Sequence, residues 1–195
     1  TIITQMYHEK NIEIEPKIAG LLCSAILSDT LMFRSPTCTP LDRMAAEELA
    51  KIAGLNIREY ASEMFRSSSR LRDRSMDELF HMDFKYFQAQ NQKIAISQVT
   101  SVSENELSGI RDKMLEYMES CLASSGLSML FAMLTNIIEE KTELLYVGKG
   151  AQQLVRAAFK TDCGEHSVVL PGVVSRKKQM VAPLVRAMEH DEEIE

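Results

Sequence analysis

One short stretch divides this chain into two differently patterned parts. Ser67, Ser68 and Ser69 are followed by Arg70, Arg72, Asp73 and Arg74. This polar run lacks sustained periodicity, whereas the segments on either side have it, and such a run marks a linker between bodies. The expected organisation is residues 1–67 as one body, 68–74 as linker, 75–190 as a second body and 191–195 as an acidic, solvated tail. A chain of 195 residues has length for one large domain or two small ones.

The first part reads as helices. Ile2, Ile3, Met6 and Tyr7 recur at helical spacing until Asn11. Pro16 suits a first helical turn, and Ile18, Leu21, Leu22, Ala25 and Ile26 follow on one face until the chain reaches Ser28, Asp29 and Thr30. Thr39 before Pro40 is a cap followed by a proline at the first helical position, with Gly54 as the stop. Asn56 caps one more helix.

The second part is mixed. Ser75 with Glu78, and Ser103 with Glu106, form capping boxes. Between them residues 93–99 alternate with period two, as a strand does. Residues 127–134 and 144–147 are further apolar runs of strand length, residues 151–159 a helix, and residues 167–170 and 173–174 β-rich pieces split by Pro171 and Gly172. Strands alternating with helices predict an α/β class with a mixed sheet.

Composition excludes several classes. With 45% hydrophobic and 26% charged residues the chain is an ordinary globular sequence rather than a disordered one. A formal net charge of −6 argues against nucleic-acid or anionic-membrane partners, which want a basic field. No apolar run approaches the ~20 residues of a membrane span. Cys23, Cys38, Cys121 and Cys163 show no C-x-x-C spacing, so reduced thiols in a cytoplasm are the economical expectation. The chain opens on Thr1 inside a helical pattern, which reads as a fragment of something longer.

Chemistry concentrates in two places. Arg176, Lys177 and Lys178 are three consecutive cations in an acidic chain, following a strand end and preceding a helix. A loop entering a helix N-terminus holds anions through outward N–H groups and the macrodipole, and Arg adds a planar fork. The alternative is a solvated basic edge. Asp29 closes an apolar helix between two hydroxyl residues, where it serves either a metal or basic partner or an ordinary solvated turn. The four histidines, His8, His81, His166 and His190, have no ligand spacing, and Gly148-Lys149-Gly150 lacks the length of a phosphate loop.

With these residues in hand, the chain resembles family II inorganic pyrophosphatases, the manganese-dependent members of the DHH phosphoesterase superfamily. The resemblance runs in order through Ser24-Ala25-Ile26-Leu27-Ser28-Asp29-Thr30-Leu31, Ser35-Pro36-Thr37-Cys38-Thr39, Met82-Asp83-Phe84-Lys85, Ile96-Ser97-Gln98-Val99 and Leu170 through Gln179 with its Ser-Arg-Lys-Lys-Gln signature. It implies the helical end of an α/β DHH domain followed by a mixed-sheet α/β DHHA2 domain. It further implies Asp29 as one ligand of a two-metal Mn²⁺ site (Co²⁺ or Mg²⁺ as substitutes), and Lys85, Arg176 and Lys177 as holders of pyrophosphate or phosphate, with no direct contact from Lys178. The remaining metal motifs of the family, an H-x-D-x-D element, another Asp and the D-H-H triad, have no counterpart here, and Asn136 stands where an Asp is expected.

The implied activity is hydrolysis of pyrophosphate to two phosphates by a metal-activated water in a cytoplasmic protein, homodimeric when intact. This piece would supply the substrate clamp and one metal ligand and be inactive alone. A short-chain polyphosphatase and a non-catalytic phosphate-binding regulatory module are the alternatives.

Overall fold

The structure is a computed structural model and describes residues 1–68, 71–89 and 92–190; the expected acidic tail, residues 191–195, lies outside them. The chain divides into two compact units, Thr1–Ser68 and Ser69–Glu195.

The first unit is helical: α1 (Ile2–Glu9), α2 (Pro16–Asp29), α3 (Pro40–Ala53) and α4 (Ile57–Ser68). Local chemistry sets their ends. Pro16 opens α2 from an extended Glu15. Thr39 and Asp42 form a reciprocal capping box at the start of α3, and Gly54 closes it in the left-handed conformation. Asn56 Oδ1 accepts from the Arg58 and Glu59 amides. Small residues let α2 and α3 approach closely: Ala19 and Cys23 face Ala46 and Ala50, all buried, and the Cys23 thiol reaches the Ala46 carbonyl at 3.7 Å. Burial pushes that thiol's pKa up, which keeps it an inert core residue. α4 is tied to α2 through Ser24, whose hydroxyl lies 2.7 Å from the Gly20 carbonyl. That bond uses the Ser24 proton, so Tyr60 donates in their 2.6 Å contact.

The second unit is a sheet covered on both faces. In order come a 3₁₀ turn at Leu71–Asp73, α5 (Met76–Met82), β1 (Phe84–Ala89), β2 (Gln92–Ser101), α6 (Glu104–Ser125), β3 (Met129–Asn136), β4 (Lys141–Val147), α7 (Ala151–Phe159), β5 (Ser167–Pro171), a π-helical turn (Arg176–Val181) and α8 (Ala182–His190). The strands lie in the order β1-β2-β3-β4-β5. Only β2 and β3 are parallel, joined by α6; every other pair is antiparallel. The sheet is therefore mixed.

Strand parity explains why β2, β3 and β4 read as nearly continuous apolar runs. Ile94, Ile96, Met129, Phe131, Met133, Leu144 and Tyr146 face a core shared with α7 and α8. Ala95, Val99, Leu130, Ala132, Leu134, Leu145 and Val147 face a second core shared with α5 and α6. Both sets are buried, so the two-residue alternation carries no polarity. Fully burying a Leu or Phe contributes roughly 1.5–3 kcal/mol, which makes these strands the stable frame of the unit.

Three sequence expectations change here. Ser103 makes no side-chain cap at α6. Ser101 does the work instead, donating to Glu106 at 2.7 Å and accepting from the Ser103 amide at 3.0 Å. β1 went unforeseen because its aromatics serve both faces: Phe84 packs with the α6 core and Phe87 with the α7 core. Part of the expected linker is core, since Leu71 is buried against Leu79 and Phe80. Gly148 is required where β4 turns into α7: at φ 115° any Cβ would sit 2.4 Å from the Ser128 carbonyl oxygen. The Gly-Lys-Gly segment is thus a structural turn with Lys149 exposed. Among the described residues no helix is long and apolar enough to cross a membrane.

Candidate functional site

The basic loop is built at the carboxyl end of the parallel strands. β5 ends at Pro171, Gly172 turns the chain at φ 74°, and Ser175 caps the π-helical turn that carries Arg176, Lys177 and Lys178. π turns recur at functional sites. Residues 173–174 form no strand because side chains take their hydrogen bonds. Gln179 curls back over the loop: its Oε1 accepts from the Val174 and Ser175 amides, both at 3.0 Å, and its Nε2 donates to the Gly172 carbonyl at 2.7 Å. The Gln179 amide N–H closes the turn on the Ser175 carbonyl at 2.9 Å. One amide side chain thus replaces a missing strand partner.

Arg176 is directed rather than splayed. Its side chain is only 13% exposed, and Nη2 meets Asp83 Oδ1 at 2.7 Å. Nη1 donates to the Asp83 carbonyl oxygen and, at 3.5 Å, to that of Ile96. These contacts span the start of β1, two residues before Lys85, which pairs opposite Ile96. By parity Lys85 lies on the Ile96 face of the sheet, the face that α7, α8 and the π turn cover. Arg176 and Lys85 therefore converge on the same end of β1, with Lys177 adjacent to Arg176. Lys85 and Lys177 are exposed and have no ion-pair or hydrogen-bond partner among the described residues. Lys178 is exposed as well; its amide donates to Ser175 Oγ.

Asp29 belongs to the first unit and ends α2. No basic residue stands in that last turn, so the carboxylate sits at the negative end of the helix dipole with no cation from its own helix beside it, an arrangement that favours a cation. The turn behind it is strained. Leu31, Met32 and Phe33 have φ of 49°, 52° and 67°, a left-handed run costing roughly 1–2 kcal/mol per non-glycine residue. Thr30 supports it by donating to the Ile26 carbonyl at 2.7 Å and accepting from the Phe33 amide at 3.2 Å. Arg43 adds a bond to the Phe33 carbonyl at 2.9 Å and stacks 4.9 Å from its ring. Asp29 lines a shallow cavity of about 400 Å³ with Thr1, Ile2, Leu22 and Asp42. Asp42 does not make a second free ligand there, because it bonds the Thr1 hydroxyl and both the hydroxyl and amide of Thr39. Those bonds, Thr1 first, hold its pKa below the usual Asp range. Among the described residues no three His, Cys, Asp or Glu side chains cluster to hold a metal. A metal centre is thus not formed by these residues alone.

Two residues with evident roles escaped the sequence reading. Asp83 and Gln179 both lie inside the motifs quoted above, near cations whose charge is the stronger signal. Asn136 now has a physical account: its Nδ2 donates to Glu104 at 3.1 Å while its Oδ1 accepts from the Ile138 and Glu139 amides at 3.0 Å. An ionised Asp could accept from the two amides but could not donate to Glu104.

The chain is similar to known proteins over nearly its whole length. A Clostridium acetobutylicum protein named "Probable manganese-dependent inorganic pyrophosphatase" is 40% identical over 189 residues, 97% of this chain and 61% of that protein. A Clostridium perfringens protein named a cobalt-dependent inorganic pyrophosphatase is 39% identical over 95% of this chain and 34% of its own length. A crystal structure titled "Crystal structure of Methanococcus jannaschii putative family II inorganic pyrophosphatase" superposes with a TM-score of 0.83 at 36% identity, over 96% of this chain and 64% of that one. The chain thus spans about three fifths of the first relative. The DHHA2 domain profile matches residues 62–187, well over half of the chain and all of the basic loop with its supports. This chain belongs to the DHHA2 domain family.

Proposed function

We propose that the chain is the phosphate-holding part of an inorganic pyrophosphatase that hydrolyses pyrophosphate to two phosphates. The observation that carries this is the pinned loop: a guanidinium oriented by Asp83, with Lys85 and Lys177 beside it and unpartnered, in a chain of net charge −6. Arg176 would present its planar donors to phosphate oxygens, and the two lysines would act as point charges. In hydrolysis a water oxygen bonds one phosphorus, the bond from that phosphorus to the bridging oxygen breaks, and the leaving phosphate takes the electron pair. Fixed cations at the leaving group stabilise the charge that develops there, without reorganisation at the moment of reaction.

Asp29 is proposed as one ligand of a two-metal Mn²⁺ site, with Co²⁺ or Mg²⁺ as substitutes. Such a site needs donors besides those described, as the absence of a three-donor cluster among the described residues indicates. The names of the relatives support the choice of metal. Residence in the cytoplasm is supported by four free thiols. The intact protein is proposed as a homodimer.

Titration calorimetry of the 195-residue chain with pyrophosphate tests the clamp. Arg176→Ala and Lys177→Ala should each weaken binding about tenfold, the equivalent of ~1.4 kcal/mol, and Lys85→Ala should weaken it in the same direction. Unchanged affinity in all three variants overturns the proposal. A phosphate-binding module without catalysis is the second reading. Mn²⁺-dependent turnover of pyrophosphate by the intact protein decides between the two, and tripolyphosphate as a competing substrate separates the short-chain polyphosphatase.

A further inference from the structure

A buried row of polar side chains runs beneath the basic loop, beside the apolar core residues of the same sheet face. Gln98 follows Ile94 and Ile96 on that face of β2, Thr135 follows Phe131 and Met133 on β3, and Thr142 precedes Leu144 and Tyr146 on β4. Thr135 and Thr142 are opposite each other in the β3–β4 register and both are 0% exposed; Gln98 is 8% exposed.

The protons in this row have one consistent assignment. Thr142 Oγ1 lies 2.6 Å from the Val173 carbonyl oxygen, which can only accept, so the Thr142 proton is committed there. The 2.9 Å contact between the two threonines must then be Thr135 donating. With the Thr135 proton used, Gln98 Nε2 donates to Thr135 Oγ1 at 3.1 Å and places its other proton on the Val174 carbonyl oxygen at 3.0 Å. The relay is directed from β2 across β3 and β4, and both of its outputs are consecutive carbonyls of the loop.

Stability alone does not explain such a row. Replacing a satisfied buried polar pair by apolar groups of the same shape is close to neutral, whereas a half-satisfied network is costly. What the row achieves is placement. The Val173 and Val174 carbonyls are drawn down to the sheet, while Gln179 holds the Gly172 carbonyl and the Val174 and Ser175 amides from above. The peptide planes leading into Ser175 are fixed from two sides, and with them the origin of the Arg176 and Lys177 side chains.

We infer that Gln98, Thr135 and Thr142 are positioning residues for phosphate binding: their relay fixes the carbonyls of Val173 and Val174 so that Arg176 and Lys177 are held ready for the anion. This rests on the proposed pyrophosphate clamp. None of the three touches the anion; they act through the loop backbone, in keeping with the tight placement that oriented binding groups need.

Thr142→Val removes the hydroxyl at nearly constant shape, and Thr142→Ser restores it. In the 195-residue chain, Thr142→Val should speed hydrogen exchange at the Val174 and Ser175 amides by about tenfold or more relative to wild type, the loss expected for roughly one net hydrogen bond. Amides of Leu144 and Tyr146 should keep their protection, which a general loss of structure would not allow. Pyrophosphate affinity, measured in the same samples, should fall about tenfold, and Thr142→Ser should recover both readouts. Gln98→Met offers an independent cut at the other end of the relay, with the same expected pattern, should Thr142→Val lose protection throughout. Unchanged exchange at Val174 and Ser175 in both variants, or failure of serine to restore it, overturns the inference. The exchange measurement needs no anion, so a wild-type chain that ignored pyrophosphate would defeat the clamp while the relay was still decided.

Discussion

Replacing Gln179 by leucine tests how much of the basic loop's order comes from one side chain. Leucine keeps the bulk and removes three hydrogen bonds, to the Gly172 carbonyl and to the Val174 and Ser175 amides. The Val174 amide loses most, because Val174 is 2% exposed and an orphaned buried donor costs about 1–3 kcal/mol. The Ser175 amide is half-buried and loses about 1 kcal/mol, whereas the exposed Gly172 carbonyl regains water and loses little. The sum is about 2–4 kcal/mol for the second unit, or a fall of about 10 °C in its Tm. Urea denaturation followed through amide signals of β3 and β4 reads that unit alone. Gln179→Glu keeps an acceptor for both amides and spoils only the bond to Gly172, so it should cost about 1 kcal/mol, less than leucine. A leucine variant within about 0.5 kcal/mol of wild type, below the usual threshold for a structural substitution, would refute the pinning. So would a glutamate variant less stable than the leucine one.

Two further expectations concern charge. Asn136→Asp would set a buried carboxylate against Glu104 and lose the Nδ2 donor, lowering stability by about 2 kcal/mol at pH 7; Lys141, 3.4 Å from Glu104, keeps the cost from being larger. The introduced carboxyl would have a raised native pKa, so the deficit relative to wild type should shrink as pH falls toward 4, and a deficit independent of pH in denaturation curves would contradict this. Asp42 and Glu78, the carboxylates of the two capping boxes, are held below their ordinary values, Asp42 by Thr1 and then Thr39, Glu78 by the amide and then the hydroxyl of Ser75. Depressed native values mean stability that is complete above the unfolded pKa of about 4 and is lost as pH falls through the native one. Wild type should therefore lose more stability on acidification than Thr39→Ala/Ser75→Ala, and equal slopes in pH-dependent denaturation would contradict the capping account.

The features legible in the sequence are those whose cause is local. Thr39, Pro40 and Gly54 announce α3 within fifteen residues, and Ser75 with Glu78 announces α5, because a cap is a contact between near neighbours. Residues 93–99 were rightly expected to form a strand, although β2 is buried on both faces and does not alternate in polarity. The site residues were legible as types, since three adjacent cations in an acidic chain stand out. Their partners were not. Arg176 and Asp83 are 93 positions apart, and Gln98 reaches Val174 across 76, so only the sheet order brings them together. One signal was available: Gln98 falls on the same strand face as Ile94 and Ile96, and a polar residue on an apolar face needs a partner.

The ion pair between Arg176 and Asp83 bears on how tightly such a loop should hold an anion. Under the proposed function, three bare cations would attract pyrophosphate and phosphate alike, and binding that is uniform along a reaction lowers KM without raising kcat. A guanidinium already facing Asp83 contributes less net charge and more direction, because Nη1 and Nη2 are fixed by the carboxylate and two carbonyls while Nε has no partner among the described residues. The uncompensated charge near the loop then rests on the exposed lysines, Lys85, Lys177 and Lys178, on flexible stems that can follow an anion as its charge redistributes. Removing the charge of Asp83 would strengthen the local positive field yet free the guanidinium to rotate. The two effects oppose each other in affinity but not in geometry, so placement, rather than net charge, is the property this part of the fold is built to conserve.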